Sequence, residues 1–114
     1  MRVGLVGVGA MGSTHAAAWS KTDAHLVGVF DTKEDQAGAL ASQYGASTYP
    51  NLDALLQDVD IVDVCTPTHL HHGMVLQAAA AGRHVICEKP LGRSLAQGQE
   101  MIQACEDAGV SLLV

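Results

Sequence analysis

The heptapeptide ICEKPLG, residues 86–92, places a carboxylate and an ammonium group side by side where an apolar run ends. A lysine such as Lys89 can hydrogen-bond a substrate oxygen, stabilise the negative charge that develops there, and exchange a proton with it. Pro90 fixes the turn, and the Lys89–Pro90 bond is a candidate cis peptide. The alternative is an exposed Glu-Lys turn on a solvated loop. A site at Glu88 and Lys89 is favoured if residues 84–87 form a strand of a parallel sheet, because ligands bind at the carboxyl ends of such strands.

Residues 7–12, GVGAMG, form the pattern G-x-G-x-x-G, which is a weak signal by itself in a chain with 12 glycines. The context strengthens it, because an apolar run precedes it and an Ala-rich stretch follows. The three glycines then allow a tight turn, close approach of a pyrophosphate, and close packing of helix on strand. Free N–H groups at the helix start bind phosphate. The alternative is a tight strand–helix turn without a ligand. The predicted cofactor contacts in this turn are Gly7, Gly9, Ala10, Met11 and Gly12.

An acidic residue, Asp31, lies 19 residues beyond Gly12 (31 − 12) and ends the second apolar run. A carboxylate at this spacing accepts hydrogen bonds from the ribose hydroxyls of a dinucleotide and repels a 2′-phosphate. NAD is therefore the predicted cofactor, with NADP less favoured. Lys33 weakens the preference, since it could reach a 2′-phosphate. Asp31 could also serve only the start of the following helix.

The segment CTPTHLHH, residues 65–72, follows the fourth apolar run. In a doubly wound sheet this loop lies near the nicotinamide side of the crevice, and its threonines can donate hydrogen bonds. Its histidines suggest a metal site, but their spacing is poor for structural zinc. A helix start with polar groups is favoured over a metal site. The histidines are His69, His71 and His72.

Two further polar residues have no assigned chemistry. His15 lies within the first predicted helix, where packing is the default role for a single histidine. Asp63 lies inside an apolar strand and requires a hydrogen-bond partner that the sequence does not identify.

Apolar runs alternate with helical stretches along the whole chain, which predicts an α/β fold with a doubly wound, parallel, six-stranded Rossmann sheet in the order 3-2-1-4-5-6. Thr32 and Asn51 are predicted helix caps, Ser94 and Gln97 a capping box, and Gly45, Gly82 and Gly109 helix ends. A further helix is predicted from His71 to Ala81. The predicted strands are Val3–Val8, His25–Phe30, Ser47–Tyr49, Ile61–Cys65, His84–Cys87 and Val110–Val114.

The composition suits one domain covering residues 1–114, with 48% hydrophobic residues and a formal charge of −6. No basic stripe favours nucleic acid, and no apolar run is long enough for a membrane span. An odd count of three cysteines and no visible secretion signal predict a reduced, cytoplasmic protein. The chain ends in an apolar run, from which we expect a fragment of a two-domain protein.

These motifs together resemble the N-terminal domain of the Gfo/Idh/MocA family, the relatives of glucose–fructose oxidoreductase and inositol dehydrogenase. The segments that carry the resemblance cover nearly the whole chain, and EKP is the most specific. They are GVGAMGSTHAAAW, the acid Asp31, CTPTHLHH and AGRHVICEKPLGRSL.

The resemblance implies an NAD(P)-dependent oxidoreductase that acts on a hydroxyl of a sugar, inositol or related polyol. It implies that Lys89 is the active-site lysine, assists proton transfer and also contacts the cofactor, and that Glu88, Thr66, Pro67 and His71 lie around the nicotinamide ribose. A second domain would supply the substrate pocket, the remaining catalytic residues and much of a homo-oligomer interface, so the isolated fragment is expected to be inactive.

Two alternatives stay open from the sequence. A sensor of the same fold would bind the dinucleotide without turnover, although it need not keep Lys89. A different Rossmann reductase would share the glycine turn, although EKP disfavours it.

Overall fold

The computed structural model describes residues 1–114 as six strands and five helices. The strands are β1 Arg2–Val6, β2 His25–Phe30, β3 Ser47–Thr48, β4 Ile61–Val64, β5 His84–Cys87 and β6 Leu112–Leu113. The helices are α1 Ala10–Trp19, α2 Glu34–Tyr44, α3 Leu52–Asp58, α4 Thr68–Ala80 and α5 Leu95–Ala108. All strand pairs are parallel and the order is β3-β2-β1-β4-β5-β6, which confirms the predicted doubly wound Rossmann sheet.

Helices cover both faces of the sheet and divide the core in two. On one face α1 and α2 pack small and branched residues against β1 and β2, with Ala16 and Leu40 among the buried positions. On the other face α3, α4 and α5 pack against β1, β4 and β5, with Leu55, Val75 and Met101 buried. Burial on both faces explains why the central strands are apolar without alternation.

Several helix ends follow the capping residues in the sequence. The side-chain oxygen of Asn51 accepts the Ala54 N–H at 2.8 Å, and that of Ser94 accepts the Gln97 N–H at 3.2 Å, as predicted. The Gln97 side chain accepts the N–H of Arg93 rather than that of Ser94, so the box closes one residue early. Left-handed glycines follow α2 and α5, at Gly45 and Gly109.

Two predicted helix starts are wrong. Thr32 does not cap α2, because the N-cap position is Lys33 and the Asp31 carboxylate accepts the Lys33 N–H at 2.8 Å instead. Helix α4 begins at Thr68, directly after Pro67, and not at His71. Proline readily precedes or opens a helix, since its ring presets φ, so the first histidines belong to α4.

Strand β1 is shorter than predicted, since it ends at Val6, and β6 has two residues. None of the helices combines the length and the hydropathy needed to cross a bilayer.

Candidate functional site

The ends of the four central strands lie in one row. Phe30 pairs with Val6, Val6 pairs with Val64, and Val64 pairs with Cys87. Because all these strands are parallel, the segments that follow them leave the sheet at the same edge. The structure therefore brings together the glycine turn, the loop after β2, the start of α4 and the EKP segment.

A crevice of about 490 Å³ opens at this edge above β1, β2 and β4. Lys33 and Gln36 line it beside the predicted cofactor residues. Of those residues, the ones that line the crevice are Gly7, Gly9, Ala10, Met11, Asp31, Thr66 and Pro67. The predicted residues Gly12, His71, Glu88 and Lys89 are outside its lining.

The glycine turn has different constraints at its three glycines. Gly7 has φ of +93°, which disfavours any side chain, and a Cβ there would also lie 2.7 Å from the carbonyl carbon of Cys65. A Cβ at Gly12 would clash with the carbonyl oxygen of Gly7, so this glycine lets α1 approach β1. A Cβ at Gly9 would meet nothing within 4 Å, although Gly9 lines the crevice. The open space at Gly9 is on the side where a phosphate could reach the N-terminus of α1.

Asp31 joins the glycine turn to the loop after β2. Its Oδ2 accepts the backbone N–H of Val8 at 2.9 Å, and its Oδ1 accepts that of Lys33 at 2.8 Å. The Thr32 hydroxyl also lies 3.5 Å from Oδ1, whereas Oδ2 keeps a second lone pair, so the half-buried carboxylate can still accept a hydrogen bond from a ribose hydroxyl in the crevice.

His71 lies behind the crevice wall and is 1% exposed. Its Nδ1 lies 3.0 Å from the carbonyl oxygen of Pro90, and its Nε2 lies 2.8 Å from that of Thr66. The ring thus links the loop that carries Pro90 to the loop after β4. A direct contact between His71 and a dinucleotide stays a prediction, and in this structure both ring nitrogens face backbone.

Glu88 and Lys89 follow β5 at the same edge. The Glu88 N–H donates to the carbonyl oxygen of Val64 at 2.9 Å, and the Lys89–Pro90 peptide is cis, as predicted. Lys89 is exposed. The ion pairs of the structure are His15–Asp63, His15–Glu88 and His72–Glu100, so Lys89 is not paired with a carboxylate.

The partner of Asp63, which the sequence does not identify, is a pair of side chains from α1. Trp19 donates its indole N–H to Oδ2 of Asp63 at 2.7 Å, and His15 Nδ1 lies 2.9 Å from the same oxygen. The other ring nitrogen of His15 lies 3.0 Å from Oε1 of Glu88. His15 therefore has a polar role rather than the predicted packing role. An acidic residue inside an apolar strand was the available signal in the sequence. It indicates that Asp63 needs a hydrogen-bond partner, but it does not indicate that the partner lies on α1.

Burial alone lowers the pKa of His15, but its hydrogen bonds and charge interactions with Asp63 and Glu88 outweigh burial and raise the pKa above 6.5. The imidazolium is thus the form favoured between the two carboxylates.

The raised pKa predicts a pH-dependent stability. The stabilisation that comes from protonated His15 is complete below about pH 6.5 and is lost as the pH rises through the higher pKa of the folded state. In the whole protein, the difference in unfolding free energy between wild type and His15→Gln should therefore shrink with rising pH. Denaturant titrations from about pH 6 to about pH 9 measure it. A difference that is constant across this range would contradict the prediction, and His72→Gln is the control.

Cys65 lies beside this network, with its sulfur 3.3 Å from Nδ1 of His15. The ligand atoms of His15, Asp63 and Cys65 lie within 4.8 Å of one another, a spacing that a metal ion could use. Burial, and then the negative charge of Asp63, raises the pKa of the Cys65 thiol far above its ordinary value. The three side chains already bond to one another, His15 to Asp63 and the Cys65 sulfur to both, so we describe the group as a hydrogen-bond network.

The comparisons with known proteins agree on one family. The model of an oxidoreductase family with an NAD-binding Rossmann fold, GFO_IDH_MocA, matches residues 1–114. A UDP-N-acetylglucosamine 3-dehydrogenase from Acidithiobacillus ferrooxidans is 32% identical over 100% of this chain and 36% of its own length. A myo-inositol 2-dehydrogenase from Thermotoga maritima is 36% identical over 98% of this chain and 35% of its own length.

Among solved structures, GenD2 from gentamicin A biosynthesis, in complex with NAD, superposes with a TM-score of 0.97 at 35% identity. The match covers 99% of this chain and 33% of GenD2. The chain thus spans about a third of the length of the relatives that it matches.

Proposed function

Since this chain belongs to the Gfo/Idh/MocA oxidoreductase family, we propose that the whole protein is an NAD-dependent dehydrogenase acting on a hydroxyl group of a sugar, inositol or related polyol. The observation that carries the proposal is the shared strand edge. The crevice with the glycine turn and Asp31 opens there, and Lys89 leaves β5 at the same edge.

The crevice residues divide the binding of the dinucleotide between them. Backbone N–H groups of the glycine turn and the α1 terminus would hold the pyrophosphate, and the Asp31 carboxylate would accept hydrogen bonds from the adenosine ribose. Thr66 and Pro67, which follow β4, would then lie toward the nicotinamide ribose, and Glu88 follows the adjacent strand β5. His71 supports this end by holding the two loops together through their carbonyl oxygens.

Oxidation of a secondary alcohol removes a hydride from carbon and a proton from oxygen, and bound NAD supplies the hydride acceptor. Lys89 acts on the oxygen. Its side chain is exposed and free of carboxylate partners, so it can hydrogen-bond the substrate hydroxyl, stabilise the developing alkoxide and join the proton relay.

The remaining parts of the enzyme lie outside residues 1–114 in this proposal. These residues are a dinucleotide-binding domain of a two-domain protein, and the relatives are about three times as long. The second domain supplies the substrate pocket, the other catalytic residues and a homo-oligomer interface. The three unpaired cysteines support a cytoplasmic location.

An absorbance assay at the NADH band tests the proposal with the whole protein, NAD and a panel of inositols, hexoses and sugar nucleotides. Reduction of NAD with at least one of them is expected. Tight NADH binding without turnover on any compound would favour the alternative, a dinucleotide sensor of the same fold.

The preference for NAD over NADP depends on Asp31. Replacing it with alanine removes a carboxylate that accepts hydrogen bonds from ribose and repels a 2′-phosphate. Asp31→Ala should therefore lower the affinity for NAD by at least about tenfold and the affinity for NADP by less. Titration calorimetry of both cofactors with the whole protein measures the two changes. Asp35→Ala, in the exposed first turn of α2, is the control and should leave both affinities unchanged. Equal losses for NAD and NADP would contradict the assignment of Asp31 to the ribose.

A further inference from the structure

A continuous set of hydrogen bonds runs from the interior of the sheet to the peptide of Lys89. It begins at Asp63, which is 1% exposed, and passes through the two nitrogens of His15 to Oε1 of Glu88. The other oxygen of Glu88, Oε2, accepts the backbone N–H of Lys89 at 3.2 Å. Both oxygens of Glu88 are thus engaged, one by α1 and one by the EKP loop itself.

The charges of Asp63 and Glu88 explain why this chain of hydrogen bonds needs His15. Asp63 is a buried carboxylate, and an uncompensated buried charge is strongly destabilising. The neutral indole of Trp19 bonds Asp63 and the thiol of Cys65 lies beside His15, so His15 is the cation between Asp63 and Glu88. No lysine or arginine takes part in the ion pairs of the structure.

We infer that His15 is a positioning residue that holds the Glu88 carboxylate toward α1 and away from the ammonium group of Lys89. Without a donor at Nε2 of His15, Glu88 loses its ion-pair partner, and the ammonium group of Lys89, its neighbour in the chain, becomes an alternative partner. A Glu88–Lys89 ion pair would turn the lysine away from a substrate oxygen and occupy its hydrogen bonds. The inference deepens the proposed function and rests on it for its catalytic consequence.

Two amide variants separate the functions of the two ring nitrogens. The amide nitrogen of glutamine occupies the region of Nε2 and can still donate to Glu88. That of asparagine occupies the region of Nδ1 and can still donate to Asp63. If His15 positions Glu88, the glutamine variant retains the function and the asparagine variant loses it, whichever of them is the more stable.

The test measures kcat and the KM for NAD in the whole protein, with the compound of the panel that is turned over. His15→Asn should lower kcat by about tenfold or more and leave the KM for NAD within about twofold, because the glycine turn and Asp31, which line the crevice, are unchanged. His15→Gln should stay within about threefold of wild type in kcat. His72→Gln is the matched control, since His72 also pairs with a glutamate, Glu100, on the exposed side of α4 and α5. An asparagine variant as active as the glutamine variant would overturn the inference.

A second readout needs no turnover. In ¹⁵N-histidine spectra of the whole protein, assigned by the loss of signals in His15→Gln, the Nε2 resonance of His15 should move in Glu88→Gln. The Nδ1 resonance should move in Asp63→Asn. If the chemical shift of Nε2 of His15 did not change in Glu88→Gln, the positioning role would be wrong even in an active enzyme. If the expected resonances move but no compound is turned over, the proposed function fails while the contact stands.

Discussion

Replacing Lys89 with methionine in the whole protein is expected to lower kcat by at least about a hundredfold and to leave the KM for NAD within about threefold. Methionine keeps much of the length and apolar stem of lysine but has no proton to donate. The variant therefore loses the stabilisation of the alkoxide that forms during hydride removal. It keeps the binding of the cofactor, whose predicted contacts are mainly in the crevice beside β1 and β2. Initial rates of NADH formation with saturating NAD measure it.

The control for this variant is Lys21→Met, which removes an exposed lysine just beyond the end of α1. It should leave kcat unchanged. If Lys89→Met turned over substrate as fast as wild type, Lys89 would have no role in the reaction. The EKP segment would then be an exposed turn, which is the alternative that its sequence leaves open. A large rise in the KM for NAD with unchanged kcat would instead assign Lys89 to cofactor binding.

The fold follows from sequence signals that are local. Asn51 and Ser94 cap their helices because a short polar side chain reaches an N–H two or three residues away, and Gly45 and Gly109 end helices because the left-handed conformation suits glycine. Once helices and strands alternate, the right-handed crossover leaves few sheet orders. Thr32 shows the limit of this approach, because α2 begins one residue later than predicted, with Lys33 at the N-cap and its N–H bonded to Asp31.

The residues of the candidate site likewise divide into those that local sequence signals predict and those that they do not. The glycine turn and Asp31 are predictable because one strand and one helix fix their spacing, and the register of β1 and β2 then places them together. The contacts of His15 join residues 48 and 73 positions apart, and no spacing rule predicts contacts over such distances in the sequence. The sequence shows only that Asp63 requires a partner. It does not show that the partner also controls Glu88.

The second large effect that we expect is a loss of NAD affinity when a glycine of the glycine turn is replaced. Gly9→Ala should fold normally, because a Cβ at this position meets no atom within 4 Å and its φ of −70° is open to alanine. Gly9 lines the crevice, and in the proposed orientation the added methyl group would obstruct the approach of the pyrophosphate to the backbone. NAD affinity should therefore fall by at least about tenfold, or about 1.4 kcal/mol, whereas stability should fall by no more than about 1 kcal/mol, because alanine is a poorer N-cap for α1 than glycine.

Gly38→Ala is the matched control for this variant, since a Cβ there also meets nothing within 4 Å but Gly38 lies in α2, outside the crevice lining. It should stabilise the protein by about 0.5–1 kcal/mol, because alanine favours the helix, and leave NAD affinity unchanged. Calorimetric titration of NAD and thermal unfolding of the whole protein give both quantities. If Gly9→Ala bound NAD as wild type does, the pyrophosphate could not lie against Gly9, and the orientation proposed for the dinucleotide across the strand ends would be wrong. If both alanine variants lost affinity equally, the effect would come from the stiffness of the helices and not from the space in front of the turn.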